Sequence, residues 1–399
     1  MDSKNLLLAL ISANSTTEVV DILNQEKLWN DPQHWENLGG DSKGLNATSI
    51  IQNQQSDSLH AFDELPVNCI DTLLTLEAKK QGLDIEDPNV TPKSVREASE
   101  QFFNVPEGKL SNLDPLERSK LAKNIGVMAT GQKGCTPCLS VWDRGEGQSP
   151  QTFKDTLLSI AKNIKAKIGF VTGKMNQGST GSLSHCGEHH VKLILSKRNP
   201  AIQTSNESSD FTYTVVKRKR PVGPERGSTY LYLVLNGVLP SFSAKSLPIL
   251  PDTYPKSYGK DFEHGTFIKL YDYRLKGLNS NITLDFANRM SSHLVSPVLP
   301  TRLYERRKGY KAHSYETTMS GLEVRLEEDR SNNVEPNFPL SGKISVDKHE
   351  FTYQIFALNR EATAKGKFKR DEGLLFIYNG QTHATIPSSF YTKKSWKKW

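Results

Sequence analysis

Cys138-Leu139-Ser140-Val141-Trp142-Asp143-Arg144-Gly145-Glu146-Gly147 is the stretch on which the fold turns. Its first five residues have the length and bulk of a buried strand, and the run stops at an acid followed by two glycines one residue apart. Such an order fixes a carboxylate at a strand end, beside a backbone with no side chains to bar a flat or phosphorylated ligand. Alone, D-x-G-x-G is common, because strands run into glycine turns in many folds. Three further stretches, in order along the chain, give it a context.

Upstream, Ser58 to Lys80 reads as a helix capped by Asp57 or Ser58, with apolar Leu59, Phe62, Ile70, Leu73, Leu74 and Leu76. Glu64, Asn68 and Asp71 follow at i, i+4 and i+7 and project from one side of it. A solvated face often carries Glu and Asp, but Asn prefers caps and turns to the interior of a Leu- and Ile-rich helix. An acid and an amide one turn apart suit hydrolysis, one carboxylate orienting water and one oxygen ligating a hard cation. Pro66 lacks a backbone donor and predicts a kink between Glu64 and Asn68.

Downstream, Gly173-Lys174-Met175-Asn176-Gln177-Gly178-Ser179-Thr180-Gly181 is a glycine-punctuated loop with a lysine, entering a helix-like start at Ser182-Leu183. The amides of such a loop make an anion site, and no Gly-Lys-Ser/Thr follows the spacer as in a Walker A loop. Finally, Gly265-Thr266 opens the strand-like run Phe267-Ile268-Lys269-Leu270-Tyr271.

Glu64-Leu65-Pro66-Val67-Asn68-Cys69-Ile70-Asp71 resembles the E-x-x-x-N-x-x-D box of the GHKL ATPases, the group of gyrase, the heat-shock chaperones, histidine kinases and MutL. The stretch from Asp143 to Gly147 looks like their D-x-G-x-G box, 173–181 like their lid box, and Gly265-Thr266 like their late Gly-Thr box. The resemblance spans residues 53–272 and is closest in look to the MORC and MutL branches. It implies an α+β chain: a Bergerat-type α/β sandwich, with a mixed sheet backed by helices, followed by a β-rich transducer-like domain. It also implies ATP and Mg²⁺ as cofactors, with Glu64 as general base, Asn68 as the metal ligand and Asp71 beside it in the nucleotide site. Asp143 would accept from the adenine amino group, and Gly145 and Gly147 would let the base approach. Lys174 and the amides of Gly178, Ser179, Thr180 and Gly181 would hold the phosphates, and Thr266 would support the adenine end. A homodimer that opens and closes with ATP hydrolysis follows from the same resemblance, acting on nucleic acid in genome maintenance or phage defence, or on a protein partner. The alternatives are a chaperone-like or ATP-locked interaction module, and a histidine-kinase-type phosphotransferase. The last would need a phospho-accepting histidine on a helical hairpin ahead of Glu64, where residues 1–55 are short and irregular.

Composition bounds the rest. With 36% hydrophobic and 24% charged residues the chain has matter for a proper core, and no run of 18 apolar residues would span a membrane. Four irregularly placed cysteines make no disulfide framework, which points to the cytoplasm. The net charge of +7 favours an acidic partner, with Lys217-Arg218-Lys219-Arg220, Arg306 to Lys311 and the tail Lys393 to Trp399 as basic clusters. Cys135 and Cys138, pooled with His185, Cys186, His189 and His190, have the residue types of a zinc site, though two small residues leading into a strand fit as well.

Three units follow: an arm over 1–27, an ATP-binding domain over 28–277 and the β-rich domain over 278–399. The apolar run Leu6 to Ile11 reads as a docking helix, and the arm either straps a partner or covers its own domain. Residues 94–103 and 150–165 read as helices, and 191–195, 211–216 and 229–235 as strands. Beyond 278, residues 320–327, 342–359 and 373–386 read as strands, with Asn379-Gly380 as a hairpin turn. Lys365, Lys367 and the Gln381-Thr382-His383 turn are candidates to reach the nucleotide.

Overall fold

The computed structural model describes residues 1–39, 57–159, 165–173, 178–221, 223, 227–250, 261–275, 280–310, 316–328, 330–364, 368 and 372–390. Twelve strands come first in the chain: β1 (Trp35–Asn37), β2 (Ile125–Thr130), β3 (Cys138–Asp143), β4 (Lys192–Lys197), β5 (Phe211–Lys219), β6 (Thr229–Leu233), β7 (Ser241–Phe242), β8 (Leu247–Pro248), β9 (Asp261–Phe262), β10 (Gly265–Leu270), β11 (Thr301–Glu305) and β12 (Glu316–Met319). All but β8 and β9 form one ten-stranded sheet in the order β1-β6-β5-β4-β10-β3-β2-β11-β12, with β7 on β5. Every pair is antiparallel except β2 and β11, so the sheet is mixed. Together with its helices it makes an α+β architecture, as expected. The strand β2, Ile125-Gly126-Val127-Met128-Ala129-Thr130, went unread in the sequence because two small residues thin its apolar signal, yet it lies fully buried beside β3.

Both faces of the sheet are covered. Side chains alternate along a strand, so Leu139 and Val141 of β3 turn to one face while Cys138 and Trp142 turn to the other. The first face packs against α3 (Ser58–Lys80) through Phe62, Leu65, Ile70, Leu73 and Leu74, with Val95 and Ala98 of α4 (Val95–Phe103) in the same core. Asp57 caps α3 by accepting from the amides of Leu59 and His60. The helix continues through Pro66 without interruption. Its burial explains this: Phe62, Leu65 and Val67 are held on the core from both sides of the proline, at about 1.5–3 kcal/mol each, against about 3 kcal/mol for an interior proline.

The second face is closed by α1 (Ser3–Ser12) and α2 (Thr16–Gln25), whose Leu6, Leu7, Leu10, Val19 and Leu23 pack with Met128, Trp142, Leu193, Tyr213 and Phe267. Lys269, in the middle of β10, is only 1% exposed and donates to the carbonyls of Ile11 and Ala13, each at 2.6 Å. Tyr271 donates to the carbonyl of Leu10 at 2.7 Å and Tyr213 to that of Ser3 at 2.8 Å. Of the two readings of the arm, residues 3–25 follow the second: they cover the sheet of their own chain. Residues 40–56 lie outside the described residues.

The expected boundary at 277 falls inside this unit. Ile282, Phe286, Met290, Leu294 and Leu303 share the core of α3, α5 (Ala287–His293) follows a π-helical turn over Ile282–Phe286, and β11 completes the sheet beside β2. The segment read as a strand over 320–327 is instead the helix Leu322–Glu328. Its apolar residues recur at every second position, but Leu322 and Leu326, one turn apart, meet Val295 and Phe368, while Val324 enters the larger core. The segment read as strand over 342–359 is a hairpin, β13 (Leu340–Val346) with β14 (His349–Ile355), and the hairpin read at Asn379-Gly380 is β15 (Gly373–Tyr378) with β16 (Gln381–Pro387). Asn379 and Gly380 both have positive φ, at 48° and 79°, as a two-residue hairpin turn requires. That turn seats on 292–296, where the Ser296 amide donates to Gly380 at 3.1 Å and the Thr382 hydroxyl to Ser292 at 2.8 Å. Lys365 and Lys367 lie outside the described residues. No described helix is long and apolar enough to cross a membrane.

Deleting residues 1–28 strips seven buried Leu, Ile and Val side chains from the sheet (Leu6, Leu7, Leu10, Ile11, Val19, Leu23 and Leu28), a loss of roughly 10–20 kcal/mol at about 1.5–3 kcal/mol each. That is the size of a domain's whole net stability, about 5–15 kcal/mol. The truncated chain is therefore expected to lose its cooperative thermal transition by near-ultraviolet circular dichroism; a retained transition would place these helices outside the core.

Candidate active site

On α3, Asn68 and Asp71 are drawn together by one cation. Lys165 Nζ lies 3.1 Å from Asn68 Oδ1 and 3.2 Å from Asp71 Oδ2. Asp71 is fully buried and accepts two more bonds, from the Thr172 amide at 2.8 Å and the Gly173 amide at 2.9 Å. A buried carboxylate holds its charge only with such partners. Asp71 thereby pins the beginning of the glycine loop to the helix, so closely that a Cβ on Gly173 would come within 3.1 Å of both Asn68 Oδ1 and Asp71 Oδ2. Glu64, two turns earlier, is half-buried. Burial first, and then the charge of Asp71, push its carboxyl above the usual range, with Lys165 pulling the other way.

Beside the same turn of α3, at Cys69 and Thr72, lies the D-x-G-x-G stretch. Asp143 ends β3 with its side chain buried and its Oδ1 accepting from the Gly145 amide at 2.8 Å. Burial raises its pKa to about 7, against the hydrogen bonds it receives from Gly145, Thr266 and the Cys69 thiol of α3. Cys69 is itself pushed up, by burial and by that same carboxylate. Gly145 packs on Thr72, where a Cβ would meet the threonine methyl at 2.4 Å. Gly147, at φ +60°, leaves a Cβ only 1.8 Å from the Lys197 carbonyl, and Gly265, at φ +108°, only 2.1 Å from the Asp143 carbonyl. Any side chain would part these backbones. Ser196 of β4 ties the arrangement by accepting from the Gln148 amide at 2.9 Å, donating to the Gly265 carbonyl at 2.8 Å and lying 3.0 Å from Thr266 Oγ1. Glu146 pairs with Lys79 at 2.6 Å and Arg198 at 3.3 Å, fastening the turn to the end of α3.

The structure thus brings Glu64, Asn68, Asp71, Asp143, Gly145, Gly147 and Thr266 around one side of α3. Gly178 to Gly181 form a short helix packed on α3, with Thr180 buried. Lys174 lies outside the described residues. Sequence reasoning missed Lys165, Cys69 and Thr72. Cys69 and Thr72 adjoin Asn68 and Asp71 on the same helix, which was a usable signal; Lys165 had none.

No family model matches the chain, and no curated protein is significantly similar to it.

The other clusters fare differently. Cys135 is exposed, Cys138 and Cys186 are buried free thiols, and His190 is bound to the Tyr230 hydroxyl at 2.6 Å. Among the described residues, no three His, Cys, Asp or Glu side chains converge to hold a metal. Lys217 belongs to β5 rather than to a turn: its ammonium lies 4.2 Å from the Trp29 ring and 3.7 Å from the Trp35 ring, donates to the Trp29 carbonyl, and is pushed down to about 8 by burial. Arg307 is 5% exposed and grips Glu305 through two bonds of 2.9 and 2.6 Å, and Arg306 pairs with Glu316 at 2.9 Å. Lys217, Arg306 and Arg307 are thus engaged within the fold. The tail 393–399 lies outside the described residues.

Replacing Asp71 by Ala leaves the Thr172 and Gly173 amides without an acceptor, at about 1–3 kcal/mol each. Hydrogen exchange at these two amides is expected to accelerate by at least tenfold; unchanged protection would show that another group holds the loop.

Proposed function

We propose that this chain is a Mg²⁺-dependent ATPase of the GHKL type, hydrolysing ATP in the space between α3, the D-x-G-x-G turn and the glycine loop. The observation that carries this reading is convergence. Four stretches spread over some two hundred residues meet on one side of one helix, with a buried carboxylate at the strand end and glycines where a side chain would collide. The ionised Asp143 carboxylate suits the adenine amino group as acceptor, and Gly145 and Gly147 let the turn that carries it pack on Thr72 and the Lys197 carbonyl.

The donors also fit a hard cation, because Asn68 Oδ1 and Asp71 Oδ2 already converge on an ammonium. A Mg²⁺ ion bound there through Asn68 and the phosphates would neutralise charge on the triphosphate. Glu64 orients water toward the γ-phosphorus and takes its proton as the oxygen bonds to phosphorus; the bond to the bridging oxygen breaks and ADP leaves with that electron pair. Its raised pKa makes it the better base. Nucleic acid loses part of its support as the target, because Lys217, Arg306 and Arg307 of the basic clusters are engaged within the fold.

Two variants separate the roles. Glu64→Gln is expected to lower turnover by 10²-fold or more and to leave nucleotide affinity within a few-fold, by single-turnover hydrolysis and calorimetry. Near-normal turnover would remove Glu64 as the base. Asp143, with its pKa at about 7, passes from mostly protonated at pH 6 to mostly ionised at pH 8. Affinity for ATP is therefore expected to rise by up to about tenfold across that range, and Asp143→Asn to weaken binding and flatten the slope. A pH-independent affinity in the unaltered protein would exclude Asp143 from the adenine contact.

A further inference from the structure

The hairpin β13–β14 is sided. Leu340, Ile344, Val346, Phe351, Tyr353 and Ile355 lie on one face by the register of the pair, with His349 beside Val346 at the turn end and the Tyr353 ring across Gly342. Ser341, Lys343, Ser345, Glu350, Thr352 and Gln354 lie on the other, where Lys343 pairs with Glu350 at 2.8 Å. Half-buried alternation of this kind is the pattern of a strand pair packed on a core. Yet the six apolar side chains are 44–52% exposed. An isolated two-stranded hairpin is marginal in water and needs its apolar face covered.

We infer that this face is an interface between two copies of the chain, formed without nucleotide. Two properties select a second copy. The face carries no Asp, Glu, Lys or Arg, and its one histidine, His349, stands at the turn end where it keeps water, so laying the face on its own twofold image buries no unpaired charge and closes on itself. The area is also sufficient. Half of six side chains of this size leaves roughly 500 Å² per copy, or about 1,000 Å² for the pair, the lower bound for a specific interface. The surface is separate from the α3 site and from any nucleotide-driven contact.

The test is the mass of the full chain by light scattering, without nucleotide, at micromolar concentration. The unaltered protein is expected at twice the chain mass, Phe351→Lys and Ile344→Lys at one chain mass, and Lys343→Glu on the opposite face still at twice. Thermal melting of each variant shows whether its body remains folded; should the lysine variants unfold, Phe351→Ser and Ile344→Ser replace them with the same expectation. A monomeric unaltered protein overturns the proposal. So does a dimer that survives both substitutions. A chain ended at Phe390 settles the remaining occupant: if it dimerises where the full chain does not, the tail 391–399 covers the face and the proposal fails.

Discussion

The carboxylate of Asp71 holds the site together. It is fully buried, and its charge is balanced by two backbone amides and an ammonium from the segment 165–173. Those partners come from residues about a hundred positions away, so the helix, the loop entrance and Lys165 are positioned by one group. Removing a partner from a buried charge costs far more than the net worth of the bond, and for that reason the three cannot drift independently.

The sheet supplies the frame. Its strands β3, β4 and β10 are neighbours, which places the D-x-G-x-G turn and the Gly-Thr start at the same edge, beneath the same part of α3. Glycine is required there by contact between backbones: the Gly147–Lys197 and Gly265–Asp143 approaches leave no room for a Cβ. The C-terminal part of the chain enters the same frame. α5, β11 and the buried Glu305–Arg307 pair belong to the body, and the turn of the β15–β16 hairpin is bonded to it at Ser292 and Ser296.

What the sequence made legible was local and periodic. The span of α3, its Asp57 cap, the strand before Asp143 and the Asn379-Gly380 turn each follow from a few adjacent residues. What it hid depended on distant partners. Lys217 read as surface charge because nothing nearby announces Trp29 and Trp35 as its partners, and Arg306 and Arg307 did so because a run of three cations masks the Glu305 that stands beside them. Leu322, Val324 and Leu326 read as a strand because two separate cores divide them. Lys165 gave no signal, since its meaning lies in two residues on a helix about ninety positions earlier.

Lys269 has a consequence for how the chain is made. Its ammonium is buried in β10, and its hydrogen-bond acceptors are the carbonyls of Ile11 and Ala13, 258 and 256 positions earlier. Once made, α1 therefore waits for about 250 further residues before it finds its seat, and β10 cannot bury its lysine until that helix returns. Closing so long a loop is slow. During synthesis the N-terminal leucines stay uncovered, a period in which holding chaperones are needed most.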